Sequence, residues 1–141
     1  MKSMTEMKSF VDTNVWFYVL TKQNIELKAK AESLINDNKK TICLSTQVIN
    51  ELCTNLIRKA SFGESGIKQL ITRLYFDYEI IELNEAILLS ASDLRARYRF
   101  SFWDGLIVAS ALTATAEILY SEDMQNDLQV ENKLKIVNPF L

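Results

Sequence analysis

The sequence predicts an α/β chain: a three-layer α/β/α arrangement with helices on both faces of a mainly parallel sheet of four or five strands. Two observations carry this expectation. Short apolar runs rich in Val, Ile, Leu and aromatic residues recur along the chain, and stretches with apolar residues at helical spacing alternate with them. Such alternation goes with parallel pairing, which buries the strands on both faces and gathers functional groups at their carboxyl ends.

Lys8-Ser9-Phe10-Val11-Asp12 reads as a short buried strand, and Asp12-Thr13-Asn14 supplies three good capping residues for a helix through Val15-Trp16-Phe17-Tyr18. Leu27, Ala31, Leu34 and Ile35 mark a second helix, closed by Asn36-Asp37-Asn38. Thr41-Ile42-Cys43-Leu44 is the second strand. Ser45 can cap a helix from Thr46 to about Lys59, burying Val48, Ile49, Leu52, Cys53 and Leu56 and leaving Gln47, Glu51 and Arg58 on the other side. After Ser61-Phe62-Gly63-Glu64-Ser65-Gly66, Ile67 to Phe76 reads as a helix and Tyr78 to Leu83 as the third strand. Asn84 opens a helix to about Tyr98. Phe102 to Thr115 is apolar on nearly every face and should be a buried helix, Glu117 to Tyr120 is the fourth strand, and Lys135-Ile136-Val137 is the fifth.

At 141 residues, with 48% hydrophobic and 24% charged, the chain is expected to form one domain over 1–141 with a full core and no disordered tail. The start lacks an apolar signal-peptide core and no run reaches membrane-spanning length, so a cytoplasmic location is expected. Cys43 and Cys53 fall in regular structure and read as buried free thiols.

The chain contains no histidine, which excludes His-dependent triads, histidine acid/base ribonucleases and His-ligated metals. Hydrolytic chemistry must then come from carboxylates, Lys, Tyr or an oxygen-held metal. The net charge of −2 argues against strong non-specific nucleic-acid binding by the bare chain, but bound dications would change the sign of a site.

Four acids stand at informative places. Asp12 ends the first strand, where it is equally a helix cap; Glu51 lies mid-helix beside Gln47, where alone it would be a solvated charge. Asp104 opens the most apolar helix, where an acid also complements the helix dipole, and Asp123 follows the fourth strand in an otherwise ordinary loop. Parallel geometry gathers these positions at one sheet edge. Crowded carboxylates repel, and a hard cation with oxygen ligands, Mg²⁺ or Mn²⁺, is the usual resolution.

The segments Phe10-Val11-Asp12-Thr13-Asn14, Asn50-Glu51-Leu52, Phe102-Trp103-Asp104-Gly105-Leu106-Ile107-Val108-Ala109 and Leu119-Tyr120-Ser121-Glu122-Asp123-Met124-Gln125 resemble, in order and spacing, the four motifs of PIN domains, over essentially the whole chain. The likeness is greatest to the bacterial VapC-type toxins of toxin–antitoxin pairs. It implies a Mg²⁺- or Mn²⁺-dependent endoribonuclease that hydrolyses RNA phosphodiesters, with Asp12, Glu51, Asp104 and Asp123 as the catalytic and metal-binding tetrad and Asn14 and Ser121 as polar support. It also implies a homodimer silenced by an antitoxin protein that covers the acidic cleft. One departure is Asn126-Asp127, where relatives often place a glycine soon after the fourth motif.

Arg95, Arg97 and Arg99, with Tyr98 and Phe100, could hold RNA phosphates and stack bases, or form a solvated helix end. Other readings stay open: a PIN nuclease of RNA processing or repair without an antitoxin, a catalytically silent PIN scaffold, or a metal-dependent phosphatase or receiver-like protein.

Overall fold

The computed structural model describes residues 2–141. Strand β1 (Ser9–Val11) leads through helices α1 (Thr13–Leu20) and α2 (Ile25–Asn38) to β2 (Ile42–Ser45). Helices α3 (Thr46–Ala60) and α4 (Glu64–Asp77) connect to β3 (Glu79–Ile81), and α5 (Glu85–Tyr98) and α6 (Phe102–Thr113) connect to β4 (Ile118–Tyr120). The chain then forms β5 (Gln129–Val130) and β6 (Leu134–Val137).

All six strands lie in one sheet in the order β3-β2-β1-β4-β6-β5, parallel except for the β5–β6 pair. β1, β2 and β4 are buried along their whole length, with Phe10, Leu44 and Leu119 fully enclosed, as a sheet covered on both faces requires. With the strand order, the right-handed rule for parallel crossovers places α1 to α4 on one face and α5 and α6 on the other, and the helix packing agrees, α1 touching α2 and α3 while α5 lies along α6.

The chain runs away from β1 in both directions, β2 on one side and β4 on the other, which makes the gap beyond the carboxyl ends of β1 and β4 a topological switch point. Val11 is in register with Tyr120, so Asp12 and Ser121 emerge side by side at that gap. α6 buries every residue from Gly105 to Ala111, which brings its first turn, with Asp104, to the same edge.

Several boundaries differ from the sequence expectations. The sheet has six strands because β5 is a two-residue antiparallel edge; its turn uses Glu131 and Asn132 at φ 54° and 53°, so no glycine announces the hairpin. Helix α4 begins at Glu64 rather than Ile67, with Gly63 as its cap, so Gly66 lies inside the first turn. β3 is shorter than Tyr78 to Leu83, because its pairing with β2 runs only from Cys43↔Glu79 to Ser45↔Ile81. Cys43 is buried and free, and burial pushes its thiol up to about 12, whereas free Cys53 is only half-buried. Gln47, expected on the outer side of α3, is buried, and Glu51 is half-buried, because the start of α6 covers that side of the helix. No helix among the described residues is long and apolar enough to cross a membrane.

Candidate active site

Asp12 caps α1 and faces the switch point at once. Its Oδ1 accepts from Thr13 N at 2.7 Å, and its Oδ2 accepts from Ser121 Oγ at 2.9 Å. Both donors favour the charged carboxylate, yet burial outweighs them, and Glu51 and Asp104 add like charge. The carboxyl is pushed up to about 6.

Glu51 reaches the gap from the second turn of α3, the helix started by Ser45, whose Oγ accepts from Val48 N at 3.3 Å. Both its carboxylate oxygens are held: Oε1 accepts from Gln47 Nε2 at 2.7 Å and Oε2 from Thr13 Oγ1 at 3.3 Å. Gln47 Nε2 also donates to Trp103 O at 3.2 Å. This one amide therefore ties Glu51 to the turn that carries Asp104. The two acceptors fix the amide's orientation, since the reverse would set oxygen against oxygen, and leave Gln47 Oε1 buried without a partner among the described residues.

Asp104 lies in the first turn of α6, capped by Ser101, whose Oγ accepts from Asp104 N at 3.2 Å. Burial and the nearby charge of Asp123 hold its carboxyl above the usual range. Asp123 is exposed and is steadied by Asn14, whose Nδ2 donates to its Oδ2 at 2.9 Å. The neighbouring Glu122 shares that amide, its Oε1 accepting from Asn14 Nδ2 at 3.5 Å, and also accepts from Tyr18 Oη at 2.7 Å. Burial and this bond push the Tyr18 phenol up to about 12.

The loop that carries Asp123 is fastened to the segment after β6. Asn138 N donates to Asn126 Oδ1 at 2.7 Å, Asn138 Nδ2 donates to Glu122 O at 3.3 Å, and Phe140 packs edge-on against Tyr18 at 5.2 Å. Asp127, at φ 68°, faces Lys135 at 3.5 Å rather than the acidic group.

The four acids singled out in the sequence thus surround one gap, with Asn14 and Ser121 each bonded to one of them. None of the three arginines is bonded to one of these acids among the described residues. Arg95 crosses from α5 to the start of α6: its guanidinium stacks over Phe102 at 4.2 Å and Nη1 donates to Phe102 O at 3.1 Å. A Cβ at Gly105 would stand 2.6 Å from Arg95 Cγ, so this glycine makes room for the arginine. Arg97 pairs with Glu131 at 2.9 Å, and Arg99 closes α5 at φ 60°. Thr13, Gln47, Tyr18 and Glu122 join the site's bonding without having been singled out; only the Gln47–Glu51 spacing of one helical turn could have pointed to one of them.

Along α3 the acidic gap opens into a cleft of about 530 Å³ lined by Gln47, Asn50, Glu51, Thr54, Asn55, Leu83 and Trp103. The four acids around the gap offer only carboxylate oxygens, a set that suits a hard dication better than a soft one. Among the described residues no three acids stand close enough to form a ready-made ion cage. The gap is open, and burial and the like charges around it raise the Asp12 and Asp104 carboxyls.

This fold and edge define a class, and comparison with known proteins gives its family. The model of the PIN domain matches residues 9–129, so the chain belongs to the PIN-domain family. Among solved structures it resembles Mycobacterium tuberculosis VapC20, a Sarcin-Ricin loop cleaving toxin, with TM-score 0.69 and 19% identity over 82% of this chain and 89% of that one. It also resembles a toxin–antitoxin complex from Klebsiella pneumoniae, with TM-score 0.71 and 16% identity over 93% and 97% of the two chains. VapBC2 from Rickettsia felis, bound to a DNA fragment of its promoter, matches with TM-score 0.62 and 18% identity over 92% and 98%. At such identities these likenesses establish a shared fold. No curated protein matches.

Proposed function

We propose that this chain is a divalent-metal-dependent endoribonuclease, the toxin of a type II toxin–antitoxin pair, acting in the cytoplasm as a homodimer. The observation that carries the reading is the gathering of Asp12, Glu51, Asp104 and Asp123 at the switch point, with Asp12 pushed up to about 6 by burial and by Glu51 and Asp104. A site that raises a carboxyl in this way is poised for a cation, and hydrolysis at a histidine-free edge has no other evident source.

The four carboxylates would hold Mg²⁺ or Mn²⁺, which when bound supplies Lewis acidity and neutralises charge at the phosphodiester. The chain's own groups do the positioning. Thr13 and Gln47 fix the Glu51 carboxylate, Ser121 fixes Asp12, and Asn14 holds Asp123 toward the gap. One carboxylate accepts the proton of the attacking water as the new P–O bond forms and the bond to the leaving ribose oxygen breaks. The toxin–antitoxin neighbours support an antitoxin partner, and Ile57, Leu88 and Leu89, apolar side chains exposed on α3 and α5, support the homodimer.

The test is to incubate purified protein with an RNA pool in Mg²⁺, Mn²⁺ or EDTA and map the cut ends, with thermal melting in the same buffers. Cleavage only with the dication is expected, as is a rise of the melting temperature in Mn²⁺. Glu51→Gln and Asp104→Asn should fold, cut no RNA and lose most of that rise. Undiminished cleavage in EDTA would refute the mechanism.

A further inference from the structure

The cleft beside Glu51 has a feature that holding a metal does not explain. Trp103 and Phe102 are 61% and 55% exposed, although α6 is otherwise the most deeply buried helix. Their rings meet edge-on at 5.2 Å, and their backbone is fixed from two sides, Arg95 Nη1 bonding Phe102 O and Gln47 Nε2 bonding Trp103 O. Two large aromatic rings are thus presented to solvent on a rigid mount. Trp103 forms one wall of the cleft and Leu83, 36% exposed, also lines it. Asn50 and Asn55, whose side-chain amides make no hydrogen bond among the described residues, line it too, with Thr54, whose hydroxyl is turned back onto Asn50 O at 2.8 Å.

A π-face, an aliphatic wall and two uncommitted amides are what a nucleobase needs: a surface to stack on, and groups that both donate and accept along its polar edge. We infer that this cleft is a base-binding subsite, in which one unpaired RNA base adjoining the cut phosphodiester stacks on Trp103 and is read by Asn50 and Asn55. The inference rests on the ribonuclease reading of the neighbouring acids and adds the origin of its sequence preference. The stack supplies affinity for any base, and the two amides discriminate among bases. Phe102 meets the tryptophan ring edge-on and is itself stacked by Arg95.

The chain offers a direct readout. Its only other tryptophan, Trp16, is 3% exposed and donates its indole N–H to Val11 O at 3.0 Å, so a ligand in the cleft reaches Trp103 alone. Tetraribonucleotides of each single base are titrated into the wild type and Trp103→Phe in Mn²⁺ while tryptophan emission is followed. In parallel, kcat, KM and the cut map on the RNA pool are measured for wild type, Trp103→Ala, Trp103→Phe, Asn50→Ala and Asn55→Ala. Quenching in the wild type that vanishes in Trp103→Phe is expected. KM should rise about tenfold in Trp103→Ala, more than kcat falls, and recover largely in Trp103→Phe, which keeps a stacking ring. At least one asparagine variant should change the base found next to the cut.

Equal quenching in Trp103→Phe, or Trp103→Ala with wild-type KM and both asparagine variants with the wild-type cut map, would overturn the subsite. The two readings fail separately. Quenching without any cleavage by the wild type supports a base site and removes the nuclease, whereas cleavage without quenching overturns the base site and leaves the nuclease standing.

Discussion

At the scale of the residue, Asp12 combines two jobs that oppose each other energetically. As a cap it satisfies Thr13 N, and as a site acid it is raised from 3.8 to about 6 by burial, Glu51 and Asp104. The folded chain therefore binds this proton more tightly than the unfolded chain. The linked stability is fully present below about pH 4, falls as pH rises through about 6, and stays lost above it. Partial exposure limits the effect to roughly 1–2 kcal/mol. In Asp12→Asn the amide oxygen keeps the cap and the amide N–H₂ can donate to Ser121, so the variant should melt at or above wild type at neutral pH in EDTA, with the advantage gone near pH 4. Melting curves of both proteins across that range check it, and an advantage independent of pH would assign the effect to capping alone. Gln47 gives a second prediction. Gln47→Met removes a buried acceptor that has no partner together with the donor that orients Glu51, so stability should change by less than about 1 kcal/mol while RNA cleavage falls at least about tenfold. Thermal melting beside single-turnover rates separates the two effects.

At the scale of the element, the sequence singled out Asp12, Glu51, Asp104 and Asp123 by their places, a strand end, a helix beside Gln47, the first turn of an apolar helix and a loop after a strand, and by the likeness of their segments to PIN motifs; the fold brings those places to one edge. Their support was legible only in part: Asn14 and Ser121 stood in the motifs, Thr13 and Gln47 did not announce their roles. Gln47 looked like a surface residue because a single helix's periodicity cannot reveal that a second helix covers its outer side. The β5–β6 hairpin was hidden because Glu131 and Asn132 take left-handed conformations that glycine usually signals. The Asn126-Asp127 departure divides on the same grounds. Asn126 receives Asn138 N and fastens the loop that carries Asp123, while Asp127 holds a left-handed bend and faces Lys135. Asn126→Ala should speed amide hydrogen exchange over residues 122–128 and lower cleavage several-fold. Asp127→Gly should leave cleavage unchanged and stabilise by up to about 1 kcal/mol, since glycine takes that bend without strain. Hydrogen exchange and rate measurements on the two variants test the division, and identical behaviour would dissolve it.

At the scale of the whole molecule, the mainly parallel sheet followed from strand–helix alternation, while the strand order that makes the switch point did not. The cleft did not follow, since its walls come from α3, from Leu83 at the α5 approach and from α6, segments that meet only in the folded chain. The contact between Arg95 and Gly105 extends across the same joint and makes two positions inherit as one. Gly105→Ala by itself would drive a methyl group to 2.6 Å from Arg95 Cγ and should destabilise by about 1–3 kcal/mol. Made in an Arg95→Ala background, the same change should be neutral or stabilise by up to about 1 kcal/mol, because alanine suits a helix better than glycine. A four-protein denaturation cycle measures the difference, and additive effects would refute the coupling. The permitted order of mutation is therefore one-way: a lineage reaches alanine at 105 only after giving up the arginine, and with it the cation stacked on Phe102 behind the cleft.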